Sequence, residues 1–460
     1  MIAQDLESTA VRRDAGDLAK EGVVGVTIVW ADNNGIPRSR TVPVDQFDAA
    51  VRRGVGVTPL FAVFDSHDQI TFEHAPLGTP SGDIRLVPVH DRPVRLAGQP
   101  GFGWVPGRLT EADGSPWAYD PRGVLERQVA RAADLGLRFL AGYEMEFQLT
   151  TGGHEDGDLP RPAFEGPSYG PAKLLAVDEF AGQLLSDLRE NGIRVGQFHG
   201  EYGPGQFEFN IAPADPLAAA DQQVLARQTV HAAARAHGLR ASFAPLVTLG
   251  QVGNGWHLHT SVSRAGVNLL SGGNGPHGLT ADGAAYLAGL LRDLPAVVAV
   301  TAPSQCSLQR LRPGFWSGAY AFWGVENREA ALRLVPSTPL LGPDHANVEL
   351  KPSDASGNPY LSLAVVIAAG VAGIEDGLTP PPAIQEDPGR WSECRRAELG
   401  VRRLPTTVAE QTEALLGNER IRNALGEELA GAFLTVRASD AAWAADRDAT
   451  EVVRAHRWLY

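Results

Sequence analysis

Apolar and polar positions alternate with a period of two over short runs early in the chain. VVGVTIVW (23–30) and VPV (42–44) read as β-strands, and ADNNGIPRSR (31–40) between them carries an Asn-Gly turn of the hairpin kind. The stretch 98–123, GQPGFGWVPGRLTEADGSPWAYDPRG, is rich in Gly and Pro and reads as a junction. Beyond it the spacing becomes helical over 124–137, then alternates again in RFLAGYEMEFQLT (138–150). The exchange of patterns continues with a helix over 178–191, a hairpin over 193–211 and an Ala-rich helix over 216–237. A strand at 256–262, a helix over 281–301, a strand at 346–354 and a helix over 360–376 follow. The last helical stretch, 407–454, reads as structural packing or an oligomer contact, and GGHEDGDLPRP (152–162) as a mobile loop. The chain thus divides into a small β-rich domain and a large domain of mixed helices and strands.

Composition narrows the class. At 460 residues, 43% hydrophobic and 20% charged, the chain is long enough for two domains of a soluble globular protein. A net charge of -14 argues against nucleic acid or an anionic membrane as the main partner. No apolar run is read as long enough to span a membrane, and MIAQDLESTAVRRD at the start has no apolar signal core. With Cys306 and Cys394 as the only cysteines, a disulfide framework is excluded and a reducing cytoplasm is expected. Lysine occurs only at Lys20, Lys173 and Lys351 against a large excess of arginine, which looks like a coding bias.

Chemistry concentrates on the strands. Residues i and i+2 of a strand share a face, so Glu144 and Glu146 project together, as do His257 and His259, and Glu349 and Lys351. In HGEYGPGQFEFN (199–210), Glu201 and Glu208 flank a Gly-Pro-Gly turn among aromatic residues, where carboxylates are costly unless a cation meets them. Five carboxylates (Glu144, Glu146, Glu201, Glu208, Glu349) and the imidazole of His257 suit two sites for a hard cation, Mg2+ or Mn2+; zinc would bring more His or Cys. Residues 304–333 add Arg310, Arg312, Arg328 and Arg333, whose forked donors match carboxylate and phosphate oxygens. Paired metals, arginines and no covalent nucleophile describe phosphoryl transfer by positioning and charge neutralisation. No Gly-x-x-x-x-Gly-Lys loop is present, so ATP would not be held in the P-loop manner.

With GYEMEF, HGEYGPGQFEFN, GNGWHLHTS, RLRPG, NREAALR and NVELKPSDASGNPYL in this order, the chain resembles the glutamine synthetase superfamily over nearly its whole length. The resemblance implies an α+β fold: a β-grasp domain (15–108) and a catalytic α/β domain with an antiparallel sheet (115–460). It also implies active sites shared between neighbouring subunits of a homo-hexamer or homo-dodecamer. Glu146, Glu201 and Glu208 match the ligands of one metal, and Glu144, His257 and Glu349 those of a second that bridges the nucleotide phosphates. Arg310 matches the grip on the amino acid carboxylate. Arg328 and Arg333 match the residues that handle the transferring phosphate, and His259 and Ser261 lie, with Arg333, where the family contacts ATP. The implied reaction has two steps: glutamate's side-chain carboxylate attacks the γ-phosphate of ATP, and a nitrogen nucleophile then attacks the acyl phosphate.

Departures from the family pattern cluster on the nitrogen side. Glutamine synthetases proper carry Phe-Asp-Gly-Ser-Ser, whose Asp helps bind ammonium; here the stretch is Phe64-Asp65-Ser66-His67-Asp68, without the motif's paired serines. A second acid normally closes the ammonium site, and Trp316 stands in its place. An aromatic wall suits a carbon-bearing amine better than ammonium. On the acid side, the family's Asn-Gly aligns with Val252-Gly253, and an arginine two residues beyond the last metal ligand becomes Lys351, a point charge in place of a fork. No tyrosine lies between Tyr360 and Tyr460, so adenylylation of a tyrosine there has no target. The expectation is an ATP-dependent γ-glutamyl–amine ligase of nitrogen or amine metabolism. Two alternatives stand beside it: an ammonia-using glutamine synthetase with a divergent ammonium site, and a catalytically silent regulator of the same fold.

Overall fold

The structure, a computed structural model, describes residues 14–90, 93–151 and 159–460. Its first sheet contains β1 (Gly25–Ala31), β2 (Pro37–Pro43), β3 (Val55–Val57), β4 (Ile84–Pro88), β5 (Val94–Arg95) and β6 (Phe102–Thr110), in the order β2-β1-β6-β4-β3 with β5 beside β6. β1 and β6 run parallel, and the other pairs are antiparallel. Strand β6 passes through the Gly/Pro-rich stretch that reads as a junction in the sequence. Both residue types have a use there. The carbonyl of Pro106 accepts from Val89 N–H at 2.9 Å, and a Cβ on Gly107 would come within 2.5 Å of Leu86 Cδ1. The glycine therefore admits the side chain of the neighbouring strand. The short helix Phe47–Arg53 is likewise not foreseen in the sequence.

The second sheet is larger. Its strands are β7 (Leu137–Thr151), β8 (Val195–Gly200), β9 (Gln206–Ile211), β10 (Leu239–Ser242), β11 (Trp256–Arg264) and β12 (Val267–Asn268). After the short β13 (Tyr320–Ala321) come β14 (Trp323–Val325), β15 (Leu332–Val335) and β16 (Asn347–Leu350); β17 (Arg402–Arg403) pairs with β13 as a separate ribbon. The order is β14-β15-β16-β11-β7-β9-β8, with β10 on β7 and β12 on β11. Only β14 and β15 are parallel, so the sheet is antiparallel in character, as expected. Fifteen-residue β7 forms its spine. On one face Tyr143, Met145, Phe147, Leu149, Leu258 and Val262 are buried in the main core under the helices Pro121–Asp134, Pro216–Ala236, Ala281–Thr301 and Pro359–Glu375. The opposite face carries the acids.

Helix Ala281–Thr301 corrects one expectation: it is 21 residues long with a mean hydropathy of 1.4, enough to cross a membrane. Its apolar window is 78% buried inside the protein, and it is a core helix. It lies so close to Pro359–Glu375 that a Cβ on Gly289 would meet the Ala369 carbonyl at 2.3 Å. The C-terminal region resolves into four helices, Val408–Leu416, Glu419–Leu425, Glu427–Ala444 and Ala449–His456, and contributes Leu425, Leu429 and Phe433 to the core. Of the loop expected at 152–162, residues 152–158 lie outside the described residues; beyond them Arg161 is tied to Thr151, whose N–H donates to its carbonyl at 3.0 Å.

Candidate active site

Register, more than alternation, builds the site. Directly paired residues of antiparallel strands face the same way. Arg333 pairs with Glu349, Glu349 with His259, His257 with Glu144, Glu146 with Glu208, and Glu208 with His199. This row steps across five strand boundaries, from β15 to β8, and puts Glu144, Glu146, Glu208 and Glu349 on one face; Glu201 follows the end of β8.

Two groups form within the row. Donor atoms of Glu144, His259 and Glu349 all lie within 4.8 Å of one another, and so do those of His199, Glu201 and Glu208. Glu146 and His257 sit between them. His257 Nδ1 is 3.0 Å from Glu144 Oε2 and 3.3 Å from Glu349 Oε1, and its Nε2 is 3.7 Å from Glu146 Oε1. Glu146 Oε2 accepts from Gly255 N–H at 2.8 Å and from Gln206 Nε2 at 3.2 Å. All six residues expected as ligands are therefore brought together. An oxygen-rich set with imidazole nitrogens and no thiolate fits Mg2+ or Mn2+.

Electrostatics agree with a cation-binding role. Burial, together with the charges of Glu146, Glu144 and Glu201, pushes the Glu208 carboxyl far above the usual carboxylate range. Burial also raises Glu146, which His257 and the Gly255 amide only partly offset. Against their own burial, Glu144 is held low by hydrogen bonds to His257 and His259, and Glu349 by the charges of Lys351 and the two histidines. Burial lowers His259, but Glu144 and Glu349 outweigh it and lift the imidazole to about 8. A divalent cation would relieve the crowding that keeps Glu146 and Glu208 from ionising.

Cationic side chains border the acids. Arg333 Nη1 is 3.0 Å from Glu349 Oε2, and Lys351 Nζ is 3.3 Å from Glu349 Oε1. Arg310 is buried at 5% exposure; its Nη2 donates to the Ser353 carbonyl at 3.0 Å and its Nε lies 3.6 Å from Asp354 Oδ2. Gly253 touches it: a Cβ there would fall 2.6 Å from Arg310 Cγ, so the glycine at this position is sterically required. Arg328 is exposed on the turn between β14 and β15, and Ser261 follows His259 on the same face of β11. Arg312 turns aside, donating to the Gln251 carbonyl at 3.2 Å with its guanidinium over the Phe315 ring.

On the nitrogen side, Trp316 stands at a turn in left-handed backbone (φ 52°) with its side chain 54% exposed. Its N–H donates to Glu329 Oε1 at 3.3 Å. Asp65 is not brought to the acids of its own chain. It is buried at 1% exposure, accepts from the His67 and Gln69 amides at 2.9 Å, and takes a hydrogen bond from Ser439 Oγ at 2.8 Å.

Sequence reasoning missed four supporting residues. His199 Nε2 is 3.4 Å from Glu201 Oε2, and its i, i+2 relation to Glu201 was a legible signal. Gln206 links Glu146 to the Gly253 carbonyl, the latter at 3.0 Å. Tyr169 donates its hydroxyl to Glu201 Oε1 at 2.6 Å. Lys173, completely buried, donates Nζ to the carbonyls of Glu201 and Gly203, the second at 2.8 Å. Hydrogen bonds from His199 and Tyr169, with the charge of His199, hold the Glu201 carboxyl below its ordinary value despite burial.

Known proteins resemble this chain along most of its length. Residues 118–453 match the family described as glutamine synthetase, catalytic domain. The chain is 44% identical to the gamma-glutamylpolyamine synthetase GlnA3 of Streptomyces coelicolor over 97% of its own length and 96% of that protein's. It is 29% identical to the glutamine synthetase of Pyrococcus abyssi over 87% of each chain. A crystal structure of a novel glutamine synthase homolog superposes with a TM-score of 0.84 at 33% identity, covering 95% of this chain and 99% of that one.

Proposed function

Because this chain belongs to the glutamine synthetase family and is a ligase of that type, we propose that it joins the γ-carboxyl of glutamate to a primary amine of the polyamine class at the expense of ATP. The observation that carries the amine over ammonia is Trp316, an exposed residue, its backbone N–H bonded to Glu329, where a small-cation cage would need an acid. The 44% identity to a gamma-glutamylpolyamine synthetase supports the same choice.

We assign Glu146, Glu201 and Glu208 to one cation and Glu144, His257 and Glu349 to the other, with His199 and His259 flanking them. Bound there, Mg2+ or Mn2+ would neutralise phosphate charge as the γ-phosphoryl group moves. Arg310 and Gly253 receive the amino acid: the fork grips its α-carboxylate, and the glycine admits the arginine's stem. In the first step a γ-carboxylate oxygen bonds to the γ-phosphorus and ADP leaves. In the second the amine nitrogen bonds to the acyl carbon, inorganic phosphate leaves, and the nitrogen gives up a proton. Arg328, Arg333 and Lys351 steady the phosphoryl oxygens, while His259 and Ser261 line the nucleotide side with Arg333. We read the N-terminal unit (15–108) as a β-grasp domain, on its parallel β1–β6 pair, and 115–460 as the catalytic domain. On the same reading the subunits form a hexamer or dodecamer in which Asp65 serves a neighbouring site.

The test supplies purified protein with ATP, Mg2+ and glutamate, then ammonia, monoamines and polyamines in turn, reading phosphate release and product mass. A product of glutamate plus amine less one water is expected. Ammonia outpacing every amine would overturn the proposal.

A further inference from the structure

One charge beside Trp316 is used neither by the metal groups nor by the arginines. Glu329 lies on the turn that precedes β15, two residues before Ala331, whose carbonyl accepts from Lys351 N–H at 3.0 Å. The turn carrying Phe315 and Trp316 lies directly on these residues: a Cβ on Gly318 would stand 3.0 Å from Ala331 Cα and 3.2 Å from Lys351 Cβ. Glu329 is half-buried, and its Oε1 accepts the Trp316 N–H at 3.3 Å. Among the described residues it makes no ion pair; Lys351 and Arg390 act on it only through space, and the charge of Asp387 opposes them. Burial raises its carboxyl above the ordinary value, the mark of an anion short of a partner. On the turn that Glu329 holds, Phe315 and Trp316 are 44% and 54% exposed, with the Arg312 guanidinium over one face of the Phe315 ring.

A carboxylate with no cation in contact, bonded to the backbone of an exposed tryptophan, complements an ammonium group carried on a chain of methylenes. We infer that Glu329 binds the second, non-reacting ammonium of a diamine or polyamine acceptor while Trp316 and Phe315 take its carbon chain. The inference rests on the amine-ligase reading above and narrows it. Glu329 is a specificity-determining residue: the reacting nitrogen bonds to the acyl carbon, whereas the distal nitrogen keeps its proton and its charge. A monoamine of the same length reaches the same acyl group but leaves the carboxylate unpaired.

Two amines of equal length separate the roles. Wild-type protein and Glu329→Gln, as full chains with ATP, Mg2+ and glutamate, are assayed with 1,4-diaminobutane and with 1-aminobutane. The variant is expected to lose about tenfold or more in kcat/KM for the diamine, chiefly through KM, a change of about 1.4 kcal/mol. Activity with the monoamine should stay within about twofold, since one unused charge contact adds nothing to its binding. Glu329→Asp should recover part of the diamine preference. Equal losses with both amines would mean that Glu329 serves the reacting nitrogen or the fold, and equal retention that it faces no substrate; either overturns the inference. Wild-type protein that makes no amide with any amine would instead overturn the reading on which it rests.

Discussion

Glu208 carries a heavy electrostatic load, because three other carboxylates face it and its own burial disfavours charge. Its sign is definite. A carboxyl raised in the folded state contributes stability below its unfolded pKa and loses that contribution as pH rises toward the folded value. With chelator present, the melting temperature of Glu208→Gln minus that of wild type should therefore grow between about pH 5 and about pH 9. A difference independent of pH would mean that Glu208 ionises freely. Arg310 supports a second prediction at this scale. Arg310→Lys keeps the charge but loses the fork, so KM for glutamate should rise about tenfold or more while KM for ATP stays put. Which residues carry chemistry was legible here, since strand alternation alone sets Glu144 beside Glu146 and His257 beside His259. The left-handed backbone at Trp316 was not, because no local signal marks a tryptophan for that conformation.

The Gly-Pro-Gly hairpin owes its shape to a neighbouring segment. Lys173 sits on the helix Pro171–Ala176, and its aliphatic stem fills the space over Gly200, where a Cβ would fall 2.5 Å from Lys173 Cδ. Lys173→Met keeps most of that stem but leaves the Glu201 and Gly203 carbonyls without their donor. A loss of about 2 kcal/mol in urea unfolding is expected, together with weaker Mn2+ binding by calorimetry. Unchanged Mn2+ affinity would show that the hairpin holds Glu201 by itself. None of this could be read from the chain, because 28 residues separate Lys173 from Glu201 and no periodicity links them. Strand β6 escaped for a different reason: its Gly and Pro act through contacts with Leu86 and Val89 that exist only once the sheet is formed. Helix extents fared better, since 281–301 and 360–376 carry continuous apolar faces and appear as Ala281–Thr301 and Pro359–Glu375.

Across the whole molecule, the helices behind the large sheet fix the plane on which the acids stand. Gly289 and Gly373 meet where Ala281–Thr301 and Pro359–Glu375 pack, with a Cβ on Gly289 only 2.7 Å from Gly373 Cα. Gly289→Ala should destabilise the fold by about 1–3 kcal/mol, read from urea melts, because neither backbone has room to retreat. Wild-type stability in that variant would mean that the helices separate easily. The two-sheet plan was legible as a β-rich start followed by mixed elements, whereas strand order and register, which assemble the site, arise from pairings distant in sequence. The placing of the lysines has a practical side. Of the chain's three, Lys173 and Lys351 are buried, and Lys20, at the end of the helix Ala15–Lys20, has its side chain 78% exposed. Apart from the α-amine, an amine-directed label or resin thus meets a single accessible lysine ahead of the first sheet. Each native chain can be tethered at one defined point, away from the lysines that serve the site.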